Sequence, residues 1–259
     1  MKLAICGDSW FSGDTQYPGR SFGELLCEKR QWELISLALG GCSAFAICLQ
    51  VDKAIELGAD FVVIGTTTPD RIDIPMMDQG IPKPFQRIRD LFNWDNFFEN
   101  SPRVFDRHRG LSNIQYDSEF LSSQNDFLTD PTIYSATMAN LLWLRESKKL
   151  TAEQAEALKL YMLNLYDMGV KRDTDVRLYS DACHRLERAG IPYLLCIESL
   201  DSDRELFPRI DPSNIMTMDQ FQFGALPRSS ATFHYCPNEG GQPFADYIET
   251  RITQRMDQQ

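Results

Sequence analysis

The sequence predicts an α/β protein built on right-handed βαβ units and a mainly parallel sheet. Three observations predict it. Strand-like and helix-like segments alternate through the first 65 residues, an order that builds right-handed βαβ units. The run Phe61-Val62-Val63-Ile64 is apolar and largely β-branched, as suits a central strand covered on both faces. Helix-then-strand order returns after residue 136 and continues to the last helix.

The elements follow in order. Residues 2–6 read as a strand that ends in the small residues Gly7-Asp8-Ser9. Residues 21–30 read as a helix, with Ser21 as N-cap and Glu24 three positions later, the capping-box spacing. A second strand over 32–37 runs into Gly40-Gly41-Cys42-Ser43, and a helix then continues to about Leu57, where Gly58 is a natural stop. The third strand, 60–64, ends at Gly65-Thr66-Thr67-Thr68-Pro69.

The pattern breaks here. Residues 70–135 hold prolines and many aromatics (Phe92, Trp94, Phe97, Phe98, Phe105) without a period. A structureless stretch of that length is uncommon in a compact domain. The expectation is therefore one domain over 1–259, with a large, partly helical insertion at about 70–150. Two roles stay open for it: a cover over the carboxyl ends of the strands that helps form a pocket, or an ordinary packed excursion. Met138 to Glu146 look helical. Thr151-Ala152-Glu153-Gln154 opens a helix to about Met168, stopped by Gly169. Another helix spans 173–189 and stops at Gly190. Strands follow at Pro192–Ile197 and Ile215–Met218, and a final helix runs from about Gly240 to Met256.

Composition excludes several classes. A net charge of −11 argues against a broad nucleic-acid footprint, which needs a Lys/Arg surface, and against binding to anionic membranes. No segment approaches 18 consecutive apolar residues, and the apolar run after Met1-Lys2 is too short for a signal-peptide core. The seven cysteines are odd in number, form no C-x-x-C pair and mostly sit in apolar runs, so a reduced, cytoplasmic protein is expected. No His/Cys/Asp cluster has metal-ligand spacing, and no Gly-x-Gly-x-x-Gly or P-loop sequence supports a nucleotide site, so no metal and no cofactor are expected.

The chemistry-bearing residues lie at the two ends of the chain. Ser9 follows the first strand, where open α/β sheets place their chemistry. His234 precedes the last helix, within Phe233-His234-Tyr235-Cys236-Pro237-Asn238-Glu239-Gly240-Gly241. A serine hydroxyl is a weak nucleophile until a base takes its proton, and a histidine supplies that base. The bland reading of Ser9 is a helix cap. His108, in Arg107-His108-Arg109, reads as part of a solvated turn, and His184 as a helix-surface residue. Asp8 is read as organising its loop through backbone hydrogen bonds. Arg71 has two readings: a hold on a substrate carboxylate or phosphate, or an ion pair with Asp70 or Asp73.

Together these segments resemble the SGNH hydrolases, the GDSL-type esterases and lipases. Gly7-Asp8-Ser9 resembles the first block of that family, Gly40-Gly41 the second, and Gly65-Thr66-Thr67-Thr68 stands where the family has Gly-x-Asn-Asp. His234 with Pro237-Asn238 and Gly240 resembles the fifth block. The likeness covers roughly 1–70 and 190–255, omits the insertion, and implies a three-layer, flavodoxin-like α/β/α sandwich. It implies a serine hydrolase that cleaves a small ester, such as an O-acetyl group on a carbohydrate, through an acyl-enzyme. Ser9 would be the nucleophile and His234 the base, with the N–H groups of Ser9 and Gly41 and the hydroxyl of Thr67 holding the oxyanion.

Two departures stand out. Thr67 replaces the family asparagine, and Gly65-Thr66-Thr67-Thr68-Pro69-Asp70-Arg71 resembles a variant third block of some phage-encoded relatives, where Thr-x-Pro and a following Arg stand in for it. Ala231 occupies the position of the Asp three residues before the His, which would orient the imidazole. A Ser–His dyad, a substitute carboxylate such as Asp211 or Asp219, and a weakly active or inactive binding module therefore remain alternatives. An acceptor hydroxyl in place of water would make the same site an O-acyltransferase.

Overall fold

A computed structural model of the chain describes residues 1–8, 10–12, 19–39, 42–69, 71–75, 133–136, 151–197, 206–217 and 237–257. Ser9, Gly40, Gly41, Asp70, Ala231, His234 and Cys236, and the helix expected over 138–146, lie outside these residues.

Five strands, β1 (Lys2–Cys6), β2 (Glu33–Ser36), β3 (Phe61–Gly65), β6 (Tyr193–Ile197) and β7 (Ile215–Thr217), form one sheet in the order β2-β1-β3-β6-β7. Every pairing in it is parallel. Two further strands, β4 (Ile72–Pro75) and β5 (Ile133–Ala136), pair antiparallel in a separate ribbon, with Ile72 opposite Ala136 and Pro75 opposite Ile133. This ribbon was not foreseen; it closes the neck of the expected insertion.

Side chains alternate across the sheet and feed two cores. On β3, Val62 and Ile64 enter one core while Phe61 and Val63 enter the other, and Tyr193 and Leu195 divide from Leu194 and Cys196 in the same way on β6. The first core is closed by helices α2 (Ala44–Glu56) and α4 (Met168–Ala189), the second by α1 (Phe22–Arg30) and α5 (Pro237–Met256). The result is the three-layer α/β/α sandwich. Full burial of β3 on both faces explains its unbroken apolar run, at about 1.5–3 kcal/mol for each large side chain removed from water. The edge strand β2 is only half buried, so Glu33 is tolerated there.

Local signals set the helix ends. Ser21 and Glu24 form the reciprocal capping box of α1, and Thr151 and Gln154 form another at the start of α3 (Ala152–Asn164). Gly190 takes φ +69° at the end of α4, a conformation that disfavours residues with a Cβ. Gly169 is not a stop, contrary to the sequence expectation. The chain breaks earlier, at Leu165, and Asp167 caps a new helix by accepting hydrogen bonds from the N–H groups of Gly169 and Val170. The cap outweighs the weak helix propensity of Gly169.

Helix α5 runs beside α1 in the same direction. Gly241 lies against the Arg20 carbonyl just before α1, and Phe244 packs on Phe22 in its first turn. Farther along, Asp246 and Glu249 pair with Lys29 in the last turn of α1. Since α1 descends from the carboxyl end of β1, α5 begins at the carboxyl end of the sheet.

Candidate active site

The strand order reverses between β1 and β3, and open α/β sheets bind ligands in the crevice beyond such a switch point. Asp8 stands just past β1 and Thr67 just past β3. The Asp8 carboxylate is fully buried. Its Oδ1 accepts from the Trp10 N–H at 3.0 Å, and its Oδ2 accepts from the Thr67 hydroxyl at 2.9 Å. The Arg71 guanidinium meets the same Oδ2 at 2.9 Å. Two charges taken out of water need this density of partners, because an unpaired buried carboxylate is costly.

Arg71 also donates from Nη1 to the Cys42 carbonyl at 2.7 Å. One side chain thus connects the loop after β3 to the loops after β1 and β2. Arg71 pairs with Asp8, which neither sequence reading named; Asp70 and the side chain of Asp73 lie outside what the structure describes. The single hydroxyl proton of Thr67 goes to Asp8, and its backbone N–H donates to the Tyr179 hydroxyl at 3.0 Å. Tyr179 comes from α4, and burial pushes its phenol pKa well above the ordinary value, so it stays neutral. The Tyr166 hydroxyl donates to the Pro69 carbonyl, a further tie on the same loop.

The loop after β1 is shaped by Gly7 and Phe11. Gly7 adopts φ +156°, and a Cβ there would lie 2.8 Å from that of Phe11. The N–H groups of Phe11 and Ser12 both bond the Asp8 carbonyl, closing a single turn. The Phe11 ring then sits edge-on to Phe22 and Phe244. This aromatic anchor holds Phe11 against the first turn of α1 and against α5.

Gln50 escaped the sequence reading. It lies on α2 and is fully buried among apolar residues. Its Oε1 accepts from the Gly7 N–H at 2.7 Å, and its Nε2 donates to the Gly7 carbonyl at 3.2 Å and approaches Cys42 Sγ at 3.4 Å. The available signal was a lone amide on the helix face shared by Ile47, Val51 and Ala54.

The described site residues that meet are therefore Asp8, Thr67 and Arg71, with Cys42, Gln50 and Tyr179 around them. His184 stands on α4, near Leu206 and Arg209, beside a surface groove and apart from this cluster. Among the described residues no group of three or more His, Cys, Asp or Glu is placed to hold a metal ion. Among them, too, no helix is long and apolar enough to cross a membrane. The six described cysteines are buried, and none of them is in a disulfide with another.

No family model and no curated protein matches the chain. Among solved structures it is similar to an acetyl xylan esterase, AlAXEase, at 12% identity and a TM-score of 0.44, over 97% of this chain and 100% of that one.

Proposed function

We propose that the chain is a serine ester hydrolase, with Ser9 as nucleophile and His234 as general base. One observation carries the reading: Asp8, Thr67, Arg71 and Cys42 are bonded into one cluster at the switch point. Asp8 and Thr67 belong to the segments that resemble the first and third blocks of the SGNH family, Cys42 directly follows the segment that resembles the second, and Arg71 lies three residues past the third. The direction of α5 supports the pairing with His234. That helix starts at the carboxyl end of the sheet, and the three residues from His234 to Pro237 span at most about 11 Å of chain.

In this reading the Ser9 hydroxyl attacks the acyl carbon while His234 takes its proton. The N–H groups of Ser9 and Gly41 receive the oxyanion; losing one such donor costs about 10²–10³ in rate. His234 returns the proton to the departing alcohol, and water, activated by the same imidazole, releases the acid from the acyl-enzyme. Thr67 and Arg71 serve by holding Asp8 and leave the substrate to other groups. The family resemblance suggests a short acyl group, such as acetyl on a carbohydrate. We also read the chain as one domain whose insertion borders the substrate, because β4 begins directly after Arg71.

Ala231 favours a second reading, a binding module that keeps the fold without turnover. Labelling with a fluorophosphonate and turnover of 4-nitrophenyl acetate separate the two. The hydrolase reading expects a label on Ser9, and loss of both label and turnover in Ser9→Ala. A folded wild-type protein that takes no label and hydrolyses nothing would leave the binding module.

A further inference from the structure

We propose that Gln50 and Arg71 are positioning residues that couple the loop before Ser9 to the loop after Gly41; the proposal rests on the hydrolase reading above. Gly7 and Asp8 immediately precede Ser9, and Cys42 immediately follows Gly41. Gln50 grips both backbone groups of Gly7 and reaches the Cys42 sulfur. Arg71 grips the Asp8 carboxylate and the Cys42 carbonyl. Two side chains, one from α2 and one from the loop after β3, thus bridge the same pair of loops.

The other flank of the second loop is pinned as well. The Leu39 N–H donates to the Gly7 carbonyl at 3.1 Å, and the Cys42 N–H donates to the Leu39 carbonyl at 3.3 Å. The residues on either side of Gly40-Gly41 are therefore tied to the residue two before Ser9. Two N–H groups from separate loops serve one oxyanion only if their spacing holds within about 0.5 Å. An apolar side chain at position 50 would fill the α2 face equally well and avoid burying an amide. What it would lose is the link to Gly7 and Cys42. Gln50 and Arg71 touch no reacting atom and act through the loops.

The test uses the full chain carrying Gln50→Leu, Gln50→Glu or Arg71→Lys. Gln50→Glu keeps the size and the acceptor for the Gly7 N–H but loses the donor, and it serves if the leucine variant does not fold. Arg71→Lys keeps the charge but lacks the fork that reaches two acceptors together. On 4-nitrophenyl acetate, kcat should fall about 10–100-fold with KM changed by less than about threefold, since a misplacement near 1 Å costs on the order of 10²-fold. The rate of fluorophosphonate labelling at Ser9 should fall in step. Backbone hydrogen exchange should quicken in segments 5–12 and 37–46 together. Folded variants that keep kcat within about threefold of wild type, or that exchange faster only within α2, overturn the proposal. Turnover surviving in Ser9→Ala would instead refute the hydrolase reading, and the exchange measurement would then decide the coupling by itself.

Discussion

Replacing Asp8 with alanine tests the electrostatic centre of the molecule. The change removes the acceptor of the Trp10 N–H, the Thr67 hydroxyl and the Arg71 guanidinium at once. Breaking a buried ion pair by removing one partner typically costs about 3–5 kcal/mol. Here the stranded Arg71 keeps the Cys42 carbonyl, and its side chain is 16% exposed, so water recovers part of the loss. The Thr67 hydroxyl, only 7% exposed at the residue level, recovers little. A hydrogen bond to a charged group adds about 1.5–3 kcal/mol. A destabilisation of about 4 kcal/mol is therefore expected, a large share of the roughly 5–15 kcal/mol that holds a domain together. At about 2–4 °C per kcal/mol for a chain of this size, Tm should fall by about 8–16 °C. Calorimetry and urea titration followed by circular dichroism give the value. Thr67→Val should cost about 1–2 kcal/mol, and the double variant should fall short of the sum by about 1 kcal/mol because the two residues share one bond. If Asp8→Ala loses less than about 1 kcal/mol, the carboxylate is not the organising group described above.

Three further outcomes follow from the packing and the charges. Gly65→Ala would set a Cβ 2.1 Å from the Phe11 ring, which Phe22 and Phe244 hold in place; a loss of about 1–3 kcal/mol in urea denaturation is expected, and an unchanged midpoint would contradict it. Lys29, and after it Arg30, hold the Glu249 carboxyl below its usual pKa, and Lys29 does the same for Asp246. A lowered acid contributes stability above its unfolded pKa of about 4 and loses it as pH falls through the folded value, so Glu249→Gln should flatten the acid limb of a Tm–pH curve below about pH 4.5. Burial pushes Cys27 up to about 11 and Cys183 up to about 12, and raises Cys6, Cys48 and Cys196 as well. At pH 8 these five thiols should react with a disulfide reagent far more slowly in the folded protein than in urea, as mass spectrometry of labelled peptides would read.

What the sequence revealed was what neighbours in the chain decide. The capping boxes at Ser21 and Thr151 are visible because each pairs residues three apart. Strand β3 is visible because burial on both faces leaves an unbroken apolar run. The partner of Arg71 is Asp8, in a segment left far behind in the chain, and no local pattern announces such a pair. Gln50 was hidden for the opposite reason: its helix face is apolar, and a single amide on that face carries no period of its own. The β4–β5 ribbon joins two four-residue stretches across the whole aperiodic region, and the partner of each is set only by the fold. Gly169 misled because a glycine is a stop only where no stronger cap lies beside it, and Asp167 does.

The β4–β5 ribbon also brings two distant points of the chain side by side. Because Pro75 and Ile133 are register partners, the chain departs toward residue 76 and comes back from residue 132 at a single doorway. A two-residue Asn-Gly turn is the connection that antiparallel strands accept most readily there. A trimmed chain that carries this turn between Pro75 and Ile133 is therefore geometrically permitted to keep the sheet and its two cores, because the register of the doorposts is the same for a short link as for a long one.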